Sequence, residues 1–437
     1  MTLRFGTDGV RAEALTVLTT DYAASLARAA AEVLGTGQWL VARDTRESGP
    51  TLEAAVVAGL CAAGALPVSV GVVPTPGLAW LAAERGVPAV MITASHNPWS
   101  DNGLKIFAAG GLKLSDDAER AIEAALNARA QAPATPQPSA VETDRSAFDA
   151  YVRHVVGLGR PLPGMKVVLD CANGAMCAAA PAVFRQLAGD VVVINDAPDG
   201  RNINDRCGAT DTGSLSTAVL DHRAQIGLAF DGDGDRVIAV DHRGHVIDGD
   251  RMIALAALQL RSEGSLHHDT VVVTVMSNLG FHKAMAAAGV AVVTTQVGDR
   301  NVLEALAAGG YSVGGEQSGH VIYRDLATTG DGLLAGLRLA QFVHESGRQL
   351  AELADDVMET YPQVLVNVRV RERHPQVAVE LAVEIAAAEE SLEGDGRVLV
   401  RASGTEPLIR VMVEAHSAAV AQRVADELAA VVRQRFG

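Results

Sequence analysis

Aromatic residues are scarce, 4% of the chain, although hydrophobic residues reach 49%. The cores must then be filled by Ala, Val, Leu and Ile in close-packed layers, which suits parallel sheets covered by helices. Positive charge is also short: 36 Lys and Arg stand against 52 Asp and Glu in 437 residues, a formal charge of −16. Such a surface repels polyanions, so neither nucleic acid nor an anionic membrane is an expected partner, and an anionic substrate would need a local cationic pocket. The four cysteines, Cys61, Cys171, Cys177 and Cys207, show no metal-type CxxC spacing. A chain this long needs no disulfide staples, so they are expected to be reduced thiols of a cytosolic protein. No uninterrupted apolar run reaches the roughly 18 residues of a membrane span, and Met1 to Arg11 lacks the apolar core of a signal peptide. A soluble, cytoplasmic protein is the expectation.

What is present is a long alternation of strand-like and helix-like segments. At about 150 residues per domain, the length suggests roughly three domains, with a fourth possible. Helical patterns over Asp21–Val33 and Thr51–Ala63 alternate with apolar runs at Trp39–Ala42, Pro67–Val72 and Pro88–Ile92, which reads as βαβ with parallel pairing. Asn102 to Phe107 reads as a turn into a strand, and a helix runs from Ser115 or Asp116 to about Ala130. Three prolines mark Ala132–Ala140 as a loop, and Pro161 and Pro163 mark a first domain boundary. The cadence of Lys166–Gly174 returns at Asp269–Gly280, which hints at a structural repeat. Strands at Val364–Val370, Val398–Arg401 and Ile409–Val413 and a helix over Ala418–Arg435 make a last small unit.

Four loops carry candidate chemistry. Ser95, in Thr93-Ala94-Ser95-His96-Asn97-Pro98, follows the buried strand Val87–Ile92 and so sits at a strand's carboxyl end, where open α/β sheets bind ligands. Asp231-Gly232-Asp233-Gly234-Asp235-Arg236 places three carboxylates at alternate positions, with glycines that let the backbone curl them onto one hard cation such as Mg²⁺. An EF-hand does not fit, because Arg236 occupies its glycine position and His242 its terminal glutamate position. A phosphate on Ser95 would supply such an ion with a further oxygen. The rival readings of Ser95 are a plain turn and an acyl-transfer nucleophile with His96 as base. Neighbouring loop residues rarely point at each other, and Gly-x-Ser-x-Gly is absent. In Gly315-Glu316-Gln317-Ser318-Gly319-His320, Glu316 and Ser318 could bind sugar hydroxyls while His320 moves a proton. Arg401-Ala402-Ser403-Gly404-Thr405-Glu406-Pro407 offers a guanidinium, hydroxyls and glycine-turn N–H groups, a phosphate cradle to which Arg410 adds a second guanidinium. Arg11, Lys105, Arg236, Arg401 and Arg410 could assemble the cationic pocket that the net charge demands.

Together these loops resemble, in order, the four signature loops of the α-D-phosphohexomutases, and the resemblance covers essentially the whole chain. Phe5–Arg11, the Glu-Gln-Ser-Gly-His form of the sugar loop and Ser-Gly-Thr-Glu-Pro are most similar to the bacterial members acting on glucosamine phosphates. The resemblance implies an α/β fold of four domains around a central cleft: three related α/β domains with mixed sheets, 1–157, 158–253 and 254–364, and a smaller C-terminal α+β domain, 365–437. It implies an isomerase that exchanges glucosamine 6-phosphate and glucosamine 1-phosphate through a phosphoserine at Ser95 and a 1,6-bisphosphate, feeding UDP-N-acetylglucosamine synthesis. One Mg²⁺ per chain would be held by Ser95, Asp231, Asp233 and Asp235, and glucosamine 1,6-bisphosphate or a related bisphosphate would act as primer. Glu316 and Ser318 would bind the sugar, and Arg401, Ser403, Gly404, Thr405 and Arg410 the distal phosphate. Arg11, His96, Lys105 and Arg236 would surround the reacting group, with Lys105 or His320 carrying the proton. A homodimer is possible. The alternatives are a phosphomannomutase/phosphoglucomutase of the same superfamily and a non-catalytic sugar-phosphate sensor. Ala12 and Ala209 depart from the family's usual glycine and serine; neither is a proposed ligand, and both read as local packing changes.

Overall fold

The computed structural model describes residues 3, 9–129, 141–403 and 407–437. The whole of the expected loop Ala132–Ala140, and the expected site residues Gly404 and Thr405, lie outside them. The chain divides into two compact units, Met1–Met276 with Val290–Asp355, and Ser277–Gly289 with Asp356–Gly437.

The first unit holds three sheets. The first contains β1 (Val10–Glu13), β2 (Gln38–Arg43), β3 (Leu66–Val72), β4 (Ala89–Ile92), β5 (Asp101–Ala108), β6 (Leu112–Lys113) and β7 (Glu142–Thr143). The second contains β8 (Leu162–Asp170), β9 (Ala188–Ile194), β10 (Ile226–Phe230), β11 (Val237–Asp241) and β12 (Val246–Ile247), and the third β13 (Thr270–Thr274), β14 (Ala291–Thr295), β15 (Val313–Gly315) and β16 (Val321–Tyr323).

All three sheets repeat one plan. In each, a central strand is flanked by two parallel neighbours, and a fourth strand returns antiparallel on the third: β3-β2-β4-β5, β9-β8-β10-β11 and β14-β13-β15-β16. The repeat hinted at by two stretches of sequence thus extends to a third. The parallel steps are crossovers through helices, whereas the connection from third to fourth strand is too short to cross over and must reverse the chain. That short reversal is 93–100 in the first sheet, 231–236 in the second and 316–320 in the third. Three of the four chemistry-bearing loops are therefore the same structural element used three times.

The aromatic-poor composition shows in the packing. The helix Thr20–Leu34, capped by the Thr19 hydroxyl accepting from Tyr22 N–H, buries seven residues, of which six are alanine. Small side chains let such helices lie close on their neighbours. The helix Gly332–Ser346 is capped by Asp331, whose Oδ1 accepts from Leu334 N–H at 2.9 Å while Oδ2 accepts from the Tyr151 hydroxyl at 2.9 Å. Burial pushes the Asp331 carboxyl up to about 6, against the hydrogen bonds that favour its charged form. A carboxyl with a raised folded pKa contributes stability at low pH that is lost as pH rises through 6, here about 3 kcal/mol. Asp331→Asn keeps a capping oxygen and should remove that loss. Urea unfolding at pH 5 and pH 8 should give a smaller stability difference in the variant than in the parent; equal differences would refute the assignment.

The second unit is a three-stranded antiparallel sheet of β17 (Gln363–Arg369), β18 (Gly396–Ala402) and β19 (Leu408–Ala415), ordered β17-β19-β18, with the helix Ala418–Phe436 packed on it. Helix Leu279–Ala287, which reads in sequence as part of the third repeat, belongs to this unit. Buried Glu414 of β19 explains why: its carboxylate accepts from Leu279 N–H at 3.0 Å and from Asn278 Nδ2 at 3.3 Å, and pairs with Arg397 at 2.9 Å.

Candidate active site

The serine loop is built from its backbone outward. Ser95 is buried and adopts φ +53°, a left-handed conformation that costs a non-glycine residue about 1–2 kcal/mol. Its N–H donates to Thr93 Oγ1 at 2.9 Å, and the Thr93 hydroxyl donates to Asp44 Oδ2 at 2.7 Å. Asp44 in turn pairs with Arg46 at 2.8 Å, both side chains fully buried. The Arg46 guanidinium then donates to the carbonyls of Ser95, Asn97 and Asp101, each at 2.9 Å, and to that of Pro98. From the second repeat, Asn204 Nδ2 adds donations to the Ser95 and Asn97 carbonyls at 2.9 and 3.2 Å. This clamp overdetermines the strained turn. In the sequence, Arg43–Pro50 reads only as a polar loop closing a strand; the local signal for the clamp is an arginine and an aspartate two apart after a buried strand.

So held, the Ser95 hydroxyl donates to Asp231 Oδ2 at 2.6 Å. It also lies 3.3 Å from His96 Nδ1, which corrects the expectation that these neighbours point apart: the left-handed turn brings the two side chains together. His96 is pushed down to about 4 by burial and by the charges of Arg236 and Arg11, so it is neutral near pH 7 and can accept a hydrogen bond.

The acidic loop brings Asp231, Asp233 and Asp235 together, all buried, each offering an oxygen within 4.8 Å of the others. Burial first, then the charges of Asp235 and Asp233, drives the Asp231 carboxyl well above its ordinary value. Burial acts the same way on Asp235, but Lys105, His320 and Arg236 overcome it and hold that carboxyl well below the usual range. Lys105 Nζ bridges Asp233 and Asp235 at 2.8 and 2.9 Å, and Thr75 Oγ1 donates to Asp233 at 2.6 Å. Asp233 Oδ1 and Asp235 Oδ1 are buried without a hydrogen-bond donor among the described residues. Buried carboxylate oxygens left over in this way are what a hard cation would satisfy, so the triad is a site that could bind a metal.

The third loop joins the same cluster. His320 is buried, with Nδ1 3.6 Å from Asp235 and Nε2 3.7 Å from Asp299. Burial alone would lower it, but those two carboxylates raise it above its ordinary value. Glu316 accepts from Gly298 N–H at 3.0 Å, its charge is felt by Arg236, and Ser318 is exposed. Close backbone approach locks the three loops together: a Cβ on Gly232 would stand 2.5 Å from the Ser95 carbonyl oxygen, and one on Gly319, at φ +90°, 2.2 Å from that of Val237. Arg11 lies on β1 opposite Gly103 of β5. The sequence expectations for Ser95, His96, Lys105, Arg236, His320 and the three aspartates therefore fall on one buried cluster, with Arg11 and Glu316 beside it.

In the second unit, Arg401 of β18 and Arg410 of β19 are direct cross-strand partners, and burial followed by the Arg410 charge lowers the Arg401 pKa. Like charges placed directly opposite are unfavourable unless something anionic joins them.

The phosphoglucomutase/phosphomannomutase family matches along nearly the whole chain: its alpha/beta/alpha domain I over residues 2–133, domain II over 149–244, domain III over 248–361 and its C-terminal domain over 365–431. The chain belongs to the α-D-phosphohexomutase superfamily. This phosphohexomutase is an isomerase of that superfamily, with the expected three α/β domains and smaller C-terminal domain. It is 51% identical to the phosphoglucosamine mutase of Frankia alni, over 99% of this chain and 98% of that one. It is 52% identical to the phosphoglucosamine mutase of Thermobifida fusca, over 100% of this chain and 99% of that one. Among solved structures, a phosphoglucomutase/phosphomannomutase family protein of Burkholderia thailandensis superposes with a TM-score of 0.81 at 26% identity, covering 98% of this chain and 97% of its own. The N-acetylphosphoglucosamine mutase of Aspergillus fumigatus, solved with GlcNAc-6P and magnesium, shares the fold with a TM-score of 0.70 at 20% identity, covering 100% and 96%.

Proposed function

We propose that this phosphohexomutase interconverts glucosamine 6-phosphate and glucosamine 1-phosphate through a phosphoserine at Ser95 and a 1,6-bisphosphate. The observation that carries the reading is a buried serine hydroxyl bonded to the first of three converging carboxylates, in a chain about half identical to phosphoglucosamine mutases over its full length. Asp231, Asp233 and Asp235, with an oxygen on Ser95, would hold Mg²⁺, which when bound draws charge from a transferring phosphoryl group.

The protein's own groups do the rest. The clamp of Arg46 and Asn204 fixes the Ser95 oxygen before reaction, so little orientation is lost when it attacks or leaves. In one half-reaction the Ser95 phosphoryl group passes to the sugar 1-hydroxyl, whose proton goes to a carrier; in the other, the 6-phosphoryl group returns to Ser95. Arg11 and Arg236 offset the negative charge around the reacting group. Lys105 or His320 is the proton carrier of this scheme, each placed against Asp235. Glu316 and Ser318 bind sugar hydroxyls. Arg401, Ser403, Gly404, Thr405 and Arg410 hold whichever phosphate is not reacting, a role supported by the opposed guanidiniums of Arg401 and Arg410. The protein acts in the cytoplasm, is primed by a sugar 1,6-bisphosphate and can act as a homodimer. No helix of the described residues is long and apolar enough to cross a membrane.

Turnover of glucosamine, glucose and mannose 6-phosphates tests the substrate: glucosamine 6-phosphate should be preferred, and a clear preference for mannose 6-phosphate would sink the assignment in favour of a phosphomannomutase. Calorimetric titration with Mg²⁺ tests the triad. Asp233→Asn should weaken binding by at least about 10- to 100-fold, the range that loss of even an outer partner of a ligand costs a metal site, and unchanged affinity would remove Asp233 from the ligand set.

A further inference from the structure

We infer that this phosphohexomutase carries a second small-molecule site, for an organic anion with an apolar body, in a cavity between its first and third repeats. The cavity has a volume of about 360 Å³ and lies between the start of the first repeat's helix Asp116–Arg129 and the third repeat's helix Asp299–Gly309. That volume is far above the roughly 30 Å³ of a single water and falls within the range of ligand pockets, about 300–1,000 Å³. Leu114, Leu303 and Ala307 supply an apolar lining.

Three polar groups among its walls favour a ligand with an anionic head. Arg300 uses its terminal nitrogens on Asp116 and Glu119, yet its Nε is buried without a hydrogen-bond partner among the described residues. The Thr328 hydroxyl is likewise buried without a partner. Arg324, which is exposed, has no carboxylate partner among the described residues, and with Ala327 and Thr328 it also lines a second cavity of about 210 Å³. In a chain of net charge −16, an unpaired guanidinium beside two unsatisfied polar atoms and an apolar wall is complementary to a carboxylate, sulfonate or phosphate carried on a hydrophobic body. None of these residues belongs to the Ser95 cluster, so the inference stands apart from the mutase reading.

The probe is anilinonaphthalene sulfonate, an aromatic body with one sulfonate, titrated by fluorescence against the full-length protein. One saturable site is expected. Ala307→Trp, at an exposed helix position facing the cavity, should fill it and abolish saturable binding while leaving basal mutase turnover unchanged. Arg324→Gln should weaken binding about fivefold to tenfold, the worth of one charge contact near a surface. The neutral N-phenylnaphthylamine should bind at least tenfold more weakly than the sulfonate. Absence of saturable binding, unchanged binding in folded Ala307→Trp, or equal affinity for the neutral probe would each overturn the proposal.

Discussion

Ser95→Ala is expected to leave a folded protein whose mutase turnover is lower by about 10⁴-fold or more, the scale on which loss of a covalent nucleophile is felt when the surrounding groups remain. The substitution removes one oxygen from a side chain that is 1% exposed, so it opens no cavity larger than a hydroxyl. It does strip Asp231 Oδ2 of its 2.6 Å donor, and a buried carboxylate losing a partner costs about 1–3 kcal/mol. Activity and stability should therefore separate widely, with a modest shift in melting and a near-complete loss of transfer. Intact mass followed by peptide mapping supplies the second readout: one phosphate on the Ser95 peptide of the parent, and none on that peptide in the variant. Residual turnover within tenfold of the parent would mean that the phosphoryl group does not travel through this residue. Phosphate found only elsewhere would mean the same.

Much of this cluster was legible in the sequence because each loop is short and its chemistry is local. Asp231, Asp233 and Asp235 lie within one turn of chain, and the glycines between them announce the curl that brings their oxygens together. Strand positions were legible for a similar reason, since β4 lies within the apolar run Pro88–Ile92, which is bounded by turn signals. What was not legible depended on partners far along the chain. Arg46 makes sense only beside carbonyls 49 to 55 residues later, and its grip on Ser95 cannot be read from a polar loop. The contact of Ser95 with His96 depends on a backbone angle that no composition rule predicts. Helix Leu279–Ala287 joins the second unit because its amino end is bound by a glutamate 135 residues away. The antiparallel return of β5 on β4 was open to inference from loop length, but periodicity alone suggested continued parallel pairing.

Arg46→Met is expected to cost about 3–5 kcal/mol of folding stability, as removal of one partner from a buried ion pair does. The loss has two parts. Asp44 keeps its burial, which already raises its carboxyl above the ordinary value, but loses the charge that most opposes that rise. The carbonyls of Pro98 and Asp101 lose the guanidinium donor, while those of Ser95 and Asn97 retain Asn204. Arg46→Lys should recover little, because an ammonium is a point donor and cannot fork across several carbonyls as a guanidinium does. The pH dependence distinguishes this account from simple loss of packing. A carboxyl whose folded pKa is raised contributes stability at low pH that is lost as pH rises through that pKa, so the deficit of Arg46→Met should deepen from acid toward neutral pH. Adding Asp44→Asn removes the unpaired charge and should restore part of the stability and flatten that profile. Urea unfolding of the three variants across pH measures all of this, and a deficit below about 1 kcal/mol would show that the clamp is dispensable. Turnover gives the functional half: because Arg46 touches the serine backbone rather than any sugar-binding residue, kcat should fall while KM stays close to the parent value.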